Sequence, residues 1–553
     1  MDLDPHACYR AISTRDARFD GRLFIGVKTT GIYCRPICPA RTPRRENLLF
    51  FPSAAAAQEA GFRPCLRCRP EAAPDLGVWR GTSNTVSRAL ALIEKGGLDD
   101  ADVEALAERL GVGERQLRRL FRRHLGASPI AVAQTRRVLL AKHLIHETRL
   151  PMGEVALAAG FGSIRRFNET FQRLFGRPPS TLRRATAAGP TGEVAILLPY
   201  RPPYDWPAML AFLRARAIPG VETVSRDGYA RTIEIAGVHG TVAVRPIAGN
   251  ALRATIQFPQ LSALPTIVAR LRRVFDLAAD PEVIGAHLSE DHVLAPLVAA
   301  RPGLRVAGAW DGFELAVRAV LGQQITVVAA VKLAAKLVAA YGKPLSGATP
   351  VSDGLTHVFP GPERLAVADL SSLGVVRTRA AALVSLARAV VADPEIFGPR
   401  RSLEEAILKL RALPGVGEWT AQYIAMREMR EPDAFPAADV GLMRGLMRAM
   451  VDRKGRRPSP RELLARAERW RPWRAYAAQH LWASHGLSYD RRGAPDDPPP
   501  LRSRHDPGLA AGRLRADGDP EARDARVGRA ARRRRAGAGR AGRHRALARA
   551  RPR

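Results

Sequence analysis

The chain has 553 residues, which is enough for several domains that each bury a core of their own. Lys and Arg number 87 against 53 Asp and Glu, so the formal net charge is +34. A positive excess of this size favours a polyanionic partner such as nucleic acid and argues against an ordinary metabolic enzyme. The hydrophobic content of 46% excludes wholesale disorder.

The sequence carries neither an export pattern nor a membrane-spanning pattern. Its first residues, MDLDPHACYR, lack the basic-then-apolar arrangement of a secretory signal. The most apolar run, residues 325–341, is interrupted by Lys332 and Lys336, and therefore predicts a buried helix. All five cysteines fall within the first 68 residues, which indicates a local metal site in a reducing compartment. We expect a cytoplasmic, nucleoid-associated protein with no membrane partner.

Changes in pattern along the chain predict a multidomain protein that is mainly α with α+β parts. Its predicted segments are a small Cys-rich zinc domain (1–78), a double helix-turn-helix (79–186), a β-rich α+β domain (192–290), an all-α domain (291–490) and a low-complexity basic tail (491–553). The tail holds 19 Arg against 7 acidic residues and almost no apolar anchors, which is typical of disorder. It is either a nonspecific DNA tether or an artefact of the reading frame.

Two cysteine pairs define the candidate metal site. Cys34 and Cys38 form a CxxxC pair, Cys65 and Cys68 form a CxxC pair, and 26 residues separate the pairs. Short loops that each present two thiolates suit tetrahedral zinc. Spacing alone favours a purely structural zinc ribbon. Cys8 lies outside the pattern and is interpreted as a spare thiol.

The surrounding runs VKTTGIYCRPICPAR and GFRPCLRCRP resemble the zinc domain of the Ada family over roughly residues 5–75. The resemblance implies one zinc ion per chain, bound by Cys34, Cys38, Cys65 and Cys68, with Cys34 accepting a methyl group from a DNA methylphosphotriester. Zinc keeps the thiol deprotonated. Four thiolates on one divalent ion carry a formal −2, and alkylation of one thiolate reduces it to −1. Methylation should therefore strengthen DNA binding, and the protein should be consumed stoichiometrically.

Two segments, 106–129 and 155–179, repeat a small-residue helix, a Gly-containing turn and a helix that closes on F-x-x-x-[LF]-G. One such segment alone is often an ordinary helical hairpin. The pair, with its GASP and GRPP endings, resembles the AraC-type DNA-binding domain, with recognition helices at about 113–124 and 163–174. This resemblance implies a promoter operator and RNA polymerase as partners. The arginines expected to reach DNA are Arg115, Arg118, Arg119, Arg165 and Arg166.

The run LPGVGEWTAQYIA (413–425) predicts a helix-hairpin-helix, in which Gly415 and Gly417 let backbone amides approach a DNA phosphate. Asp439 follows Gly417 by 22 residues and, taken alone, is more often a helix cap. Together with FELAVRAVLGQQIT upstream and AERWRPWRAYAAQHLW downstream, these motifs resemble AlkA-type 3-methyladenine glycosylases of the helix-hairpin-helix superfamily over about 192–490. In that superfamily the Asp is catalytic.

The same resemblance assigns a base pocket, a wedge and a reaction type. The pocket comprises Trp419, Tyr423 and Trp482, for which plain core packing is the alternative. Gln324 stands where the family has its wedge Leu. Trp419 replaces the Lys of bifunctional relatives, so base removal without strand cleavage is expected. Because no cysteine follows Cys68, no iron–sulfur cluster is expected. The Pro-Cys-His motif of a guanine methyltransferase domain is also missing from these residues, so that activity is not expected.

The sequence thus predicts an alkylation-damage response protein that acts on double-stranded DNA. It would take methyl groups from phosphotriesters through Cys34, regulate transcription, and excise 3-methyladenine-type bases with Asp439. The alternative is a DNA-binding regulator whose glycosylase-like half only binds DNA.

Overall fold

A computed structural model describes residues 4–16, 19–73, 84–94, 96–99, 101–148, 150–183, 193–345, 354–398, 400, 402–450 and 458–486. All of them belong to one unit, Met1–Gly493. The predicted disordered tail, 491–553, lies outside the described residues. Among the helices of the described segments, none is long and apolar enough to span a membrane.

The N-terminal domain combines a small mixed sheet with short helices. Its elements are α1 (Pro5–Ser13), β1 (Phe24–Val27), β2 (Ile32–Cys34), β3 (Leu48–Phe51), α2 (Ala54–Glu59) and β4 (Arg63–Pro64). The strands are ordered β3-β1-β2-β4, and β2 and β4 pair in parallel with Tyr33 opposite Pro64. Because Cys34 and Cys65 are the next residues along these strands, both lie at the same end of the sheet.

The second domain is a pair of helix-turn-helix units joined by a long helix. Its elements are α3 (Asn84–Glu94), α4 (Val103–Arg109), α5 (Glu114–Leu125), α6 (Pro129–Glu147), α7 (Met152–Ala158) and α8 (Ile164–Phe175). Helices α5 and α8 end at Gly126 and Gly176, which have φ of +68° and +66°. Glycine adopts this left-handed conformation without a steric penalty, so both helices stop at the same point of the repeat.

The third domain is an antiparallel sheet covered by helices. Its elements are β5 (Glu193–Pro199), α9 (Trp206–Arg214), β6 (Glu222–Val224), β7 (Tyr229–Ile235), β8 (Val238–Ile247), β9 (Ala251–Gln257) and α10 (Leu264–Val274). The strand order is β5-β9-β8-β7-β6, a meander in which β5 closes one edge. Apolar side chains alternate along β5, as expected for a sheet with one buried face.

The fourth domain is helical. Its elements are α11 (Pro281–Leu288), α12 (Ala295–Ala300), α13 (Gly312–Leu321), α14 (Val327–Tyr341), α15 (Pro362–Leu365), α16 (Arg377–Ala392), α17 (Leu403–Arg411), α18 (Glu418–Arg427), α19 (Val440–Ala449), α20 (Pro460–Ala467) and α21 (Arg474–Gly486). A short ribbon, β10 (Lys343–Pro344) and β11 (His357–Val358), interrupts it, so the all-α expectation misses this one feature. The predicted multidomain fold class, mainly α with α+β parts, is confirmed.

One hydrophobic core crosses the boundary between the second and third domains. It contains Phe167 and Phe171 of α8 together with Ile196 of β5 and Ile256 of β9, each at most 2% exposed. Apolar faces packed in one continuous cluster stabilise one another. The second helix-turn-helix unit and the β-sheet domain are therefore joined by a core rather than by the linker alone.

Candidate zinc centre and DNA lesion site

Four cysteine sulfurs meet at the end of the N-terminal sheet. The Sγ atoms of Cys34, Cys38, Cys65 and Cys68 all lie within 4.8 Å of one another. Tetrahedral zinc–thiolate bonds of about 2.3 Å require sulfurs roughly 3.8 Å apart, so the cluster fits a zinc ion. Cys8 lies apart from the cluster, on the buried face of α1, where burial raises the pKa of its thiol.

Backbone N–H groups distinguish the four sulfurs. Arg35 N donates to Cys68 Sγ and Arg67 N donates to Cys65 Sγ, each at 3.3 Å, and the Ala40 backbone donates to Cys38. Within the described residues no backbone N–H contacts the Cys34 sulfur; Cys34 and Cys38 are partly buried, whereas Cys65 and Cys68 are buried. Hydrogen bonds to a thiolate stabilise its charge and reduce its nucleophilicity, and this effect applies to the other three sulfurs.

A buried ion pair joins the cysteine loop to the long helix α6. Lys142 Nζ lies 2.6 Å from Glu71 Oε2 and donates to the Cys65 carbonyl at 3.0 Å. Both side chains are at most 1% exposed. Burial lowers the pKa of Lys142. Burial also opposes ionisation of Glu71, but the charge and hydrogen bond of Lys142 together with the charge of Arg69 outweigh it and hold the pKa of that carboxyl below its usual value. The metal loop is thus anchored on the helix between the two helix-turn-helix units.

The structure places the predicted DNA-contacting arginines on exposed faces of α5 and α8. Arg118 pairs with Glu114 at 2.5 Å and Arg165 with Glu169 at 2.8 Å, each one helical turn along. Such pairs are screened by solvent and contribute little to stability. The side chains are therefore free to exchange these partners for DNA phosphates. Exposed positions on the two helices are Arg115, Arg118, Arg119, Arg165 and Arg166.

The helix-hairpin-helix is formed by α17 and α18, and its turn contains the two predicted glycines. Gly415 has φ +80°, and an added Cβ would lie 2.4 Å from Ala382 Cβ, so only glycine fits there. Gly417 precedes α18 as its N-cap and faces open space. The backbone N–H groups at this helix start are exposed and can approach a phosphate.

Asp439 is held by three hydrogen-bond donors. Trp419 Nε1 donates to Oδ2 at 2.8 Å, and Trp482 Nε1 and Leu442 N each donate to Oδ1 at 2.9 Å. The residue is also the N-cap of α19. Asp439 therefore caps α19, as a helix-cap residue does, and also accepts two further hydrogen bonds from tryptophan side chains. Donors on three helices (α18, α19 and α21) fix the orientation of the carboxylate.

The aromatic side chains form a stack beside this carboxylate. The Trp419 and Tyr423 rings lie 5.1 Å apart and nearly parallel, at 11°. The Arg427 guanidinium lies 4.8 Å from the Tyr423 ring and 5.7 Å from the Trp482 ring. Burial opposes ionisation of Tyr423, but the positive charges of Arg427 and Arg216 outweigh it and lower the pKa of its hydroxyl.

Sequence reasoning missed several residues that shape this pocket. Arg427 is 3% exposed, lies 4.4 Å from the Phe212 ring of the third domain, and donates to the Ala307 carbonyl at 2.6 Å. Gly441 leaves room for the approach of Trp482 to Asp439, since an added Cβ would lie 2.9 Å from Asp439 Oδ1. Gly441 could have been found from the sequence, since it follows the motif Asp by two residues; Arg427 could not, because its contacts link distant parts of the chain.

Gln324 lies at the tip of an exposed loop between α13 and α14 with φ +59°, in the left-handed region that few non-glycine residues adopt. The neighbouring Gln323 anchors this loop to the hairpin. Its amide donates to the Gly415 carbonyl at 2.8 Å and to Thr420 Oγ1 at 3.1 Å. The position interpreted as the wedge is therefore exposed and rigidly linked to the phosphate-binding turn.

Four family descriptions match successive parts of the chain. They are the metal binding domain of Ada (7–71), a helix-turn-helix domain (106–185), the AlkA N-terminal domain (195–311) and the HhH-GPD superfamily of base excision DNA repair proteins (317–472). These matches define a multidomain DNA-binding protein of alkylation response and base-excision repair, and they confirm the predicted resemblances.

Similar proteins carry the same combination or its parts. A probable bifunctional transcriptional activator/DNA repair enzyme AlkA of Mycobacterium tuberculosis (strain H37Rv) is 42% identical over 490 residues, 88% of this chain and 97% of the relative. DNA-3-methyladenine glycosylase 2 of Escherichia coli is 36% identical over 53% of this chain and 98% of its own. The solved 3-methyladenine DNA glycosylase of Archaeoglobus fulgidus has 23% identity and a TM-score of 0.46, over 54% of this chain and 99% of its own.

The chain belongs to the family of bifunctional transcriptional activator/DNA repair enzymes AlkA. Membership accounts for a metal-binding domain, a helix-turn-helix domain and a glycosylase domain in one polypeptide.

Proposed function

We propose that the C-terminal half excises 3-methyladenine-type bases from double-stranded DNA by hydrolysis of the N-glycosidic bond. The observation that carries this proposal is the Asp439 carboxylate, which is oriented by two tryptophan N–H groups beside the Trp419–Tyr423 stack. A helix cap needs only the Leu442 N–H contact. The two additional indole donors are expected where the orientation of the carboxylate matters.

A ring-methylated purine is cationic and is already a good leaving group, so strong acid catalysis is unnecessary. The enzyme has to unstack the nucleotide, hold the base, and stabilise positive charge that develops on the sugar. Aromatic faces attract electron-poor bases by about 0.5–2 kcal/mol per contact. In this scheme Trp419, Tyr423 and Trp482 receive the base, Asp439 supplies the counter-charge and orients water, and Gln324 enters the gap in the duplex.

We assign a monofunctional reaction to this site. Strand cleavage by bifunctional relatives proceeds through an amine nucleophile, and in this hairpin the corresponding position is Trp419. Its indole N–H is committed to Asp439. The product is then a free base and an abasic site with an intact strand.

The test of this function is the release of methylated adenine from alkylated DNA by the wild-type protein and by Asp439→Asn. The amide keeps the shape and removes the negative charge, so release should slow by about a thousandfold if some 4 kcal/mol of charge stabilisation is lost. Equal release by the two proteins would contradict the role of Asp439. It would favour the alternative that the C-terminal half binds DNA without catalysing base excision.

We further propose that Cys34 accepts a methyl group from DNA methylphosphotriesters. Bound zinc, one ion per chain, would keep the thiols ionised at neutral pH. The Cys34 sulfur attacks the methyl carbon, an S–C bond forms, the C–O bond breaks, and the phosphodiester leaves with the electron pair. The thioether is stable, so each chain reacts once. The support is the partial exposure of Cys34 and the backbone N–H groups at the other three sulfurs.

Mass spectrometry after exposure to methylphosphotriester DNA tests this assignment. One added methyl group should be found on Cys34 in the wild type and none in Cys34→Ser. A methyl group found only on Cys8 would contradict it.

The double helix-turn-helix provides the regulatory output. We propose that α5 and α8 bind successive major-groove segments of a promoter operator, and that loss of one negative charge at the cysteine site strengthens this binding. RNA polymerase is the partner that an activator of this type would contact. The expectation that the protein carries no iron–sulfur cluster stays a prediction.

A further inference from the structure

An ion pair buried between the DNA-binding half and the glycosylase half connects α3 to the segment that carries Asp439. Arg88 Nε and Nη2 donate to Glu431 Oε1 at 3.0 and 2.6 Å. The two side chains are 7% and 6% exposed. The residues are 343 positions apart in sequence, so only the folded arrangement of both halves creates this contact.

Glu431 begins a segment that ends at the catalytic carboxylate, and we call residues Glu431–Asp439 the catalytic segment. Its middle is fixed to the two helices that carry the tryptophans of the site. Asp433 accepts from Arg474 Nε at 2.7 Å, and Arg474 lies on α21, as Trp482 does. Phe435 N donates to the Gln422 side chain at 3.0 Å, and Gln422 lies on α18 beside Trp419.

The first residue of the segment is held from both sides. Glu431 N donates to the Ala425 carbonyl of α18 at 3.0 Å, and its carboxylate accepts from Arg88. The start of the catalytic segment is therefore held by α18 on one side and by Arg88 of the helix-turn-helix domain on the other.

We propose that Arg88 is a positioning residue of the glycosylase, which holds the catalytic segment so that Asp439 keeps its place between Trp419 and Trp482. This inference rests on the proposed excision activity. It makes the helix-turn-helix half a structural part of the repair enzyme as well as a regulator.

The charges around Glu431 explain why Arg88 is needed. Burial raises the pKa of Glu431, Arg88 opposes this effect, and the like charges of Glu404 on α17 and Asp433 in the segment add to it. Asp433 is itself paired with Arg474. Without Arg88 the ionised carboxylate would be buried with no compensating charge, which strongly favours a displaced segment. Protonation of Glu431 at lower pH would relieve that penalty.

The experiment compares single-turnover base excision by full-length wild type, Arg88→Met and Arg88→Lys at pH 8 and pH 6, with saturating enzyme. We expect Arg88→Met to slow excision at least tenfold at pH 8 and less at pH 6. Arg88→Lys should restore most of the rate, because it returns a positive charge to the site. The double variant Arg88→Met/Glu431→Gln should recover to within about threefold of wild type, because no uncompensated charge stays buried.

Arg109→Gln serves as the matched control. Arg109 also pairs across the two halves, with Glu395 at 3.2 Å, but these side chains are 47% and 69% exposed. This variant should excise at the wild-type rate, and all variants should bind intact DNA equally.

Several outcomes would overturn the role of Arg88. They are a wild-type rate for Arg88→Met at both pH values, an equal loss in Arg109→Gln, or no recovery in the double variant. If Arg88→Met does not fold, Arg88→Gln takes its place: it keeps a hydrogen-bond donor and loses the charge, so it should excise more slowly than wild type at pH 8 and less so at pH 6, and a wild-type rate at both pH values would overturn the role. Asp439→Asn separates this proposal from the function on which it rests: if that variant excises like wild type, the assigned mechanism fails first.

Discussion

Replacing Gly441 with Ala should slow base excision strongly and destabilise the fold only modestly. Gly441 is the second residue of α19. An added Cβ would lie 2.9 Å from Asp439 Oδ1, closer than real Cβ atoms approach, and 3.2 Å from Trp482 Cδ1, which is a tight contact. The carboxylate oxygen must therefore shift, and the Trp482 indole loses its hydrogen bond to Oδ1.

The expected loss of rate follows from this displacement. A hydrogen bond to a charged group contributes about 1.5–3 kcal/mol, which corresponds to roughly 10- to 150-fold in rate if it acts in the transition state. Alanine in place of helical glycine favours the folded state by about 0.5–1 kcal/mol, which offsets only part of the lost hydrogen bond. Gly441→Ala should therefore excise bases 10- to 100-fold more slowly, while its thermal midpoint falls modestly below that of the wild type.

Single-turnover excision and thermal unfolding of the full chain measure both quantities. Gly162→Ala is the control, because an added Cβ there meets nothing within 4 Å; it should excise at the wild-type rate. A wild-type rate for Gly441→Ala would refute the claim that the Trp482–Asp439 contact sets the rate. A loss of stability well above about 3 kcal/mol would contradict a displacement limited to this one hydrogen bond.

Two further predictions concern buried ionisable groups. Lys142→Met should lower the free energy of unfolding by about 2–3 kcal/mol in urea titrations, because the buried Glu71 carboxylate loses its Lys142 partner and keeps the contact with Arg69 Nε at 3.2 Å; Lys142→Met/Glu71→Gln should recover most of the loss, and no recovery would contradict the pairing. Burial lowers the pKa of His480 from 6.5 to about 4, so its contribution to stability is complete above pH 6.5 and is lost as the pH falls toward 4. His480→Gln should make the free energy of unfolding less dependent on pH over this range. The same replacement at the exposed His292 should leave the pH dependence unchanged. Identical pH curves for the wild type and His480→Gln would contradict the role of His480.

The sequence was sufficient where function depends on local spacing. The CxxxC and CxxC pairs place their sulfurs through short loops, and the parallel pairing of Tyr33 with Pro64 only brings the two loops together. The hairpin glycines and Asp439 are likewise set by short-range turns and caps. The predicted recognition helices, 113–124 and 163–174, correspond within one residue to Glu114–Leu125 and Ile164–Phe175.

Contacts between distant segments were not predictable. Arg88–Glu431 and Lys142–Glu71 join residues that are far apart in sequence, and a charged residue on a helix is more often solvated than paired in a core. Hydrophobic periodicity showed that α8 and β5 each bury a face, but not that the two faces pack in one core across the linker. The cation–π contact of Arg427 with Phe212 of another domain was likewise not predictable, because the two residues are distant in sequence and meet only in the folded protein.

The most direct test of the account uses one duplex that contains both a methylphosphotriester and a methylated adenine, with wild type, Cys34→Ser and Asp439→Asn. The wild type should gain one methyl group and release the base. Cys34→Ser should release the base without gaining the methyl group, and Asp439→Asn should gain the methyl group while releasing the base about a thousandfold more slowly. A folded variant that loses both reactions would contradict the assignment of two separate chemistries to one chain. A variant that keeps both reactions at the wild-type rate would contradict it as well.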